Sequence, residues 1–337
     1  MSAAAEAPGA PSVLAALRRW AVPLALVLLA AAFALAEPAF LRPQNLFGIL
    51  QSVSVVALLG IGVTVTLSAG GFDLSAGSTA AASVMAAGYC MVVWQFGAAE
   101  TVLACLALGL LVGLWNGFLT TRLGIPDLLA TLGTLFLLSG LQLIPTGGRS
   151  ISSGMTLPDG TATRGAFDPD FLAIGRTRLF DVVPLPVLIM AVVALAAWVV
   201  MARTRWGRVL YAVGGNEEAA YLAGAPTKAY RMAAYAASGV LASLGGLIVA
   251  ARVGRGDVSA GSSLLLDSVA AALIGFAVLD ARHPHVAGTL VGALLVGVLL
   301  NGLTMLNVPY HMQDFVKGAI LVAALAATFA GARARGR

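Results

Sequence analysis

Asp73, Ser75 and Ser78 put a carboxylate and two hydroxyls into a run otherwise made of glycine and apolar residues, Gly70-Gly71-Phe72-Asp73-Leu74-Ser75-Ala76-Gly77-Ser78. Long apolar stretches flank this run on both sides. Glycine permits an irregular backbone, and Asp73 and Ser75 can satisfy the N–H groups that a break frees, or cap the helix that follows. Two readings are open. The run is a structural breaker inside a helical bundle, or it is a polar element on a path through one. Gly70, Gly71, Asp73, Ser75 and Gly77 would carry either role.

Other polar side chains sit within or beside apolar segments: Asn116, Gln142, Asp267, Asp280, Asn301 and Lys317. Such groups are costly in lipid and tend to face a cavity or a partner. Most fall within a few residues of a segment end, where interfacial water is in reach. Gln142 falls mid-segment, and it cannot titrate. Proton-coupled transport calls for a buried carboxylate near the midplane, so this pattern argues against an ion-driven mechanism. No Gly-rich phosphate loop ending in Lys-Ser/Thr is present, so the chain holds no ATP by that device. His283 and His285 flank Pro284 in a short loop, which is no metal constellation without further ligands. Cys90 and Cys105 lie in apolar runs and read as small core residues. No nucleophile–base set occurs. The expectation is no catalytic residue, no metal and no cofactor on this chain.

A third constellation is built for mechanics. In Gly214-Gly215-Asn216-Glu217-Glu218-Ala219-Ala220-Tyr221-Leu222-Ala223-Gly224-Ala225-Pro226 a short helix is written with its punctuation. Asn216 can cap the orphan N–H groups, and Glu217 and Glu218 favour the positive end of the helix dipole. Ala219, Ala220, Tyr221 and Leu222 continue the helix. Gly224 suits the left-handed C-terminal position, and Pro226 blocks continuation. Lipid anchoring alone would not need such a stiff element between two membrane spans.

The elements that must hold these residues are apolar. Of 337 residues, 59% are hydrophobic and only 10% are charged, against roughly 25% charged in soluble domains. A water-soluble fold could not cover its apolar surface with so few charges, whereas a bilayer removes the need. Ten spans are predicted, at about 20–40, 46–69, 78–97, 101–121, 128–145, 184–201, 231–251, 264–279, 286–306 and 314–331. The chain is thus expected to be a single all-α polytopic membrane domain, 1–337, with no soluble domain. The run from Trp20 to Ala36, despite Arg18, Arg19 and a cleavage-like Ala34-Leu35-Ala36, reads as an uncleaved first span because so many others follow.

An even span count puts both termini on one side. With both inside, the inner segments hold Arg18, Arg19, Arg122, Arg203, Arg205, Arg208, Lys228, Arg231, Arg282, Arg333, Arg335 and Arg337, twelve of the 20 Lys and Arg residues. The positive-inside rule favours that orientation. It makes 1–19 a cytoplasmic tail, 146–183 an exposed external loop and 202–230 a cytoplasmic loop. The net charge of +5 sits in these short connections, so it is a topology signal and not a nucleic-acid footprint. The external loop reads as a solvated connector or as a landing surface for a partner. Glycines at intervals of four, Gly109, Gly113 and Gly117, then Gly288 and Gly292, predict faces of close helix packing. Asn116-Gly117 with Ile125-Pro126, against Asn301-Gly302 with Val308-Pro309, suggests two inverted five-helix halves.

These motifs, in this order, resemble the ribose and simple-sugar ABC permease family. Residues 70–78 are similar to its Gly-Gly-Ile-Asp-Leu-Ser-Val-Gly-Ser signature. Asn116-Gly117, Ile125-Pro126 and Thr131-Leu132-Gly133 resemble its next stretch. Gly207-Arg208, Tyr211-Ala212-Val213-Gly214-Gly215-Asn216, Ala219-Ala220 and Gly224 follow its cytoplasmic-loop pattern. The resemblance covers about residues 45–325. One stretch departs from it: Gly275 to His285 stands where the family usually carries Gly-Gly-x-Ser-x-x-Gly-Gly, which leaves the solute and the identity of the second permease subunit open.

The resemblance implies a dimer of ten-helix subunits in the bacterial inner membrane. A periplasmic binding protein would deliver a sugar or sugar-like solute. A separate ABC ATPase, carrying ATP and Mg, would grip the helix at 216–224. The rival reading is a ten-helix secondary carrier of the drug/metabolite type with no ATPase, which leaves that helix unexplained.

Overall fold

The computed structural model describes residues 13–261, 263–277 and 283–333. Residues 1–12 of the predicted N-terminal tail and 278–282 of the departing stretch, Asp280 among them, lie outside the described residues. The fold is an all-α polytopic membrane bundle. Its helices are α1 (Val13–Ala36), α2 (Pro43–Ser68), α3 (Ala76–Val92), α4 (Ala98–Thr121), α5 (Asp127–Leu141), α6 (Pro169–Arg176), α7 (Leu185–Arg203), α8 (Arg205–Gly215), α9 (Glu217–Leu222), α10 (Thr227–Val253), α11 (Leu264–Ala277), α12 (Val286–Met305) and α13 (Tyr310–Arg333). Each of the ten predicted segments overlaps one of them. Six described helices are long and apolar enough to cross a membrane: α2, α4, α5 with its extension to Thr146, α7, α10 and α12. Within α1, α3 and α11 the apolar part is shorter.

The boundaries follow local chemistry. Pro43 opens α2, where a missing N–H costs nothing. Glu100 accepts from Gly97 N at 3.0 Å and so fixes the start of α4. The third segment ends five residues early because Gln95 turns the chain with φ +58°. His285 caps the start of α12 by accepting from Gly288 N at 2.8 Å.

The bundle is organised around α10, which packs on α2, α3 and α4. Gly109 and Gly113 of α4 lie against the backbone of Tyr235, Ala236 and Gly239 of α10, and Gly117 lies against Met232. A side chain on Gly113 would collide with the Tyr235 carbonyl. Gly288 and Gly292 do the same for α12, against Gly275 and Ala271 of α11. The four-residue glycine spacing is therefore found at backbone-to-backbone contacts, where a missing Cβ is a packing requirement. The side chain of Phe33 in α1 packs on Gly302 of α12.

Two long connections lie at opposite ends of the bundle. Gln51, early in α2, donates to Gly175 O of α6 at 2.9 Å. At the far end of α2, Gly70 lies against Gly214 of α8. The 17 residues from Gln51 to Ser68 span about 26 Å of helix. So 147–183 sits at one end and 202–230 at the other.

Neither connection is a plain loop. The predicted external loop contains α6, a two-residue hairpin pairing Arg178–Leu179 with Val183–Pro184, and a fully buried Phe171. Ile151 and Gly256 exchange backbone hydrogen bonds of 2.7 and 2.8 Å, so this segment is built onto the bundle. The 202–230 segment holds two helices where one was expected. The unforeseen α8 starts at Thr204, whose side chain accepts from Gly207 N at 3.3 Å. Tyr211 of α8 donates to Pro284 O at 2.8 Å. Burial pushes its phenol pKa up, so the donated proton stays on the ring.

Candidate functional site

Asn216 Oδ1 accepts from Ala219 N at 2.9 Å, which closes the first turn of α9. Glu217 and Glu218 follow in that turn. The last turn is closed as tightly. Gly224 takes φ +87°, Gly224 N donates to Tyr221 O at 2.9 Å, and Ala225 N donates to Ala220 O at 3.0 Å. That pair of bonds is the Schellman arrangement, and it satisfies carbonyls that a six-residue helix would otherwise leave open. Ala220 is buried, whereas Tyr221 and Leu222 are 67% and 78% exposed. A helix this short rarely holds alone. Here both ends are tied, and two large apolar side chains are held out from the body.

The Gly70–Ser78 run closes a second structure. Gly70 takes φ +76°, and the chain then turns back into the bundle. Asp73 is 1% exposed. Its Oδ1 accepts from Ser75 N at 2.8 Å and from Ser75 Oγ at 2.7 Å. Its Oδ2 accepts from Ser238 Oγ of α10 at 2.7 Å. Ser75 Oγ in turn accepts from Asn116 Nδ2 of α4 at 2.8 Å, and Asn116 Oδ1 accepts from Thr134 Oγ1 of α5 at 2.6 Å. One carboxylate thus joins the α2–α3 connection to three helices. Of the two candidate caps, Asp73 holds the N–H of Ser75, the residue before α3, and Ser75 makes no side-chain cap bond to α3. Gly77 packs on Leu265 of α11.

A series of polar contacts joins the two structures. Arg231 Nη1, at the start of α10, donates to Glu217 Oε2 at 2.8 Å. Its Nη2 donates to both carboxylate oxygens of Asp127, at 2.8 and 2.9 Å. Tyr235 Oη donates to Asp127 Oδ1 at 2.5 Å. The Tyr235 hydroxyl also packs on Gly71, where a Cβ would come within 2.6 Å of it. Ser238 then reaches Asp73. From α9 inward, hydrogen bonds run from Glu217 to Arg231, Asp127 and Tyr235, and the Tyr235 hydroxyl packs on Gly71, two residues before Asp73.

The remaining sequence candidates separate. Asn116, expected within reach of interfacial water, is fully buried in the Asp73 cluster. Gln142, expected mid-span, follows the last turn of α5, and its buried Oε1 has no partner among the described residues. Asn301 pairs reciprocally with Asn45 of α2 at 3.0 and 2.9 Å, away from both structures. Asp267, also expected near interfacial water, is buried and accepts from Lys317 Nζ at 3.0 Å.

Asp127, Thr134, Tyr235 and Ser238 were not singled out from sequence, and Arg231 only as a topology signal. The trace was there: Arg231, Tyr235 and Ser238 stand at i, i+4 and i+7, one face of a helix. Arg231→Met will lower the melting temperature. A double-mutant cycle with Asp127→Asn, read by thermal unfolding in detergent, should give a coupling of about 0.5–3 kcal/mol. A coupling indistinguishable from zero would mean that the pair positions nothing.

The family described as branched-chain amino acid transport system / permease component matches residues 45–325. The chain is 36% identical over 302 residues to the ribose import permease protein of Escherichia coli (strain K12), covering 90% of this chain and 91% of that one. It is 32% identical over 303 residues to the ribose import permease protein of Bacillus subtilis (strain 168), covering 90% of each. To the xylose transport system permease protein of Haemophilus influenzae it is 31% identical over 351 aligned positions, covering 90% and 93%. No solved structure matches the chain.

Proposed function

This chain belongs to the branched-chain amino acid transport system / permease component family, and on that premise we propose that it is the membrane-spanning subunit of an ATP-driven importer for a sugar or sugar-like solute. The observation that carries the reading is the near full-length likeness to permeases named for ribose and xylose, together with α9. ATP and Mg belong to a separate ABC ATPase that docks on α9. A periplasmic binding protein delivers the solute at the opposite end, where 146–183 is external. A second permease subunit completes the path. The chain crosses the bacterial inner membrane ten times, in two inverted five-helix halves, with both termini cytoplasmic. A secondary carrier of the drug/metabolite type has no use for a doubly capped helix with exposed Tyr221 and Leu222.

Liposomes holding the permease, its ATPase and its binding protein will accumulate a labelled pentose or hexose only when ATP is inside with the ATPase. Accumulation driven by an ion gradient without ATP would overturn the importer reading. A reporter after Arg337 should signal cytoplasmic, and one inserted near Ser152 should signal external. Both on one side would remove the ten-span arrangement.

A further inference from the structure

Ser52, Arg252, Asp267, Asn301 and Thr304 come from four helices, α2, α10, α11 and α12, and line one cavity of about 320 Å³. The cavity lies toward the bundle end that carries 147–183. Deeper in, the same helices close on one another through glycine: Gly60 of α2 lies 3.0 Å, Cβ position to methyl, from Thr289 of α12, and Gly292 of α12 rests on Ala271 of α11. The space is therefore a blind pocket, shut by packing at its inner side.

Its polar groups are of complementary kinds. Arg252 is exposed, and its guanidinium makes no hydrogen bond or ion pair among the described residues. The Ser52 hydroxyl is likewise exposed. Lys317 Nζ bridges Asp267 Oδ1, at 3.0 Å, and Asp314 Oδ1, at 2.8 Å, so the group keeps a net negative charge and Asp267 Oδ2 is left as an acceptor. Asn45 holds the Asn301 amide in place. Val56, Val249 and Val296 give the pocket an apolar wall. A few fixed polar groups against an apolar wall is the usual make-up of a small-molecule site.

We propose that this pocket is a subsite for a neutral polyhydroxylated solute of monosaccharide size, a reading that rests on the sugar-importer function above. Vicinal hydroxyls both donate and accept, which matches an unpaired guanidinium beside a carboxylate with one oxygen held by Lys317 and the other free to accept. The C–H face of a sugar ring matches the valine wall. An organic cation would meet Arg252, and an anion would meet Asp267.

Cys90 and Cys105 are both buried, so Ser52→Cys introduces an exposed thiol into a chain otherwise closed to thiol reagents. The probe is N-ethylmaleimide, applied to proteoliposomes of the whole transporter whose ATP-driven uptake of tritiated D-ribose or D-xylose has first been measured. The transported pentose, at ten times its half-protecting concentration, should slow labelling about tenfold. Adding Arg252→Gln should abolish that protection and Arg252→Lys should retain part of it. Ser52→Cys alone decides, because an exposed serine replaced by cysteine leaves the core unchanged. Active uptake with unprotected labelling overturns the pocket and leaves the importer reading intact. No ATP-driven uptake of any pentose or hexose by the unaltered chain overturns both.

Discussion

Truncating Tyr221 and Leu222 together to alanine will cost the chain its ATPase while leaving its fold intact. Both side chains point away from the body, so their loss opens no cavity. Alanine is the strongest helix former, and the bonds that close α9 come from Asn216 and from the backbone at Gly224 and Ala225. What disappears is apolar area that only a partner can bury, worth roughly 1.5–3 kcal/mol for each large side chain if fully desolvated. A loss of about 1.4 kcal/mol already weakens a complex tenfold. The double variant should insert normally and accept the binding protein, yet fail to pull down the ATPase. Unchanged recruitment and uptake would remove α9 as the docking element.

Asp73→Leu will fail earlier, in assembly. Leucine leaves Ser75 N, Ser75 Oγ and Ser238 Oγ without their acceptor, in a place that water does not reach. Each unpaired buried group costs about 1–3 kcal/mol, against a total stability on the order of 5–15 kcal/mol. Asp73→Asn should recover most of the loss. Its carbonyl oxygen still serves Ser75, and its NH2 can donate to the Ser238 hydroxyl. The yield of monodisperse protein and its melting temperature should rank wild type, then Asn, then Leu. If the leucine variant assembles normally and only its choice of solute changes, Asp73 faces the solute instead.

The helical segments were legible because an apolar stretch of about 20 residues has few options besides crossing a membrane. The capped helix was legible for a different reason: Asn216, Glu217, Gly224 and Pro226 are local signals that need no partner. Residues whose role depends on a distant element were not. Asp127 looks like any acidic residue after a proline until Arg231, 104 positions away, is folded onto it. Gln142 lies just past the end of α5, inside a candidate span that runs on to Thr146. Two helices, α6 and α8, were missed because both are short and amphipathic. Each buries one face, as Phe171 and Leu210 do, without producing an apolar run.

α10 is one unbroken helix from Thr227 to Val253, held at its lower end by Arg231 and reaching the α6 end at Arg252. Between them, Gly239 meets Gly109 and Gly113 backbone to backbone. At that contact the two backbones meet with no large side chain between them, only the short Ser243 on Gly109, which suits rocking better than translation. Measured from Gly239, the short arm to Arg231 is eight residues, about 12 Å, and the long arm to Arg252 is thirteen, about 20 Å. α10 is then a lever with a glycine fulcrum. A shift of about 1 Å imposed at Arg231 through α9 becomes an opposite shift of about 1.6 Å at Arg252. Closing the bundle at the α9 end would thereby spread the pocket wall at the other, with the gain set by where the glycines fall.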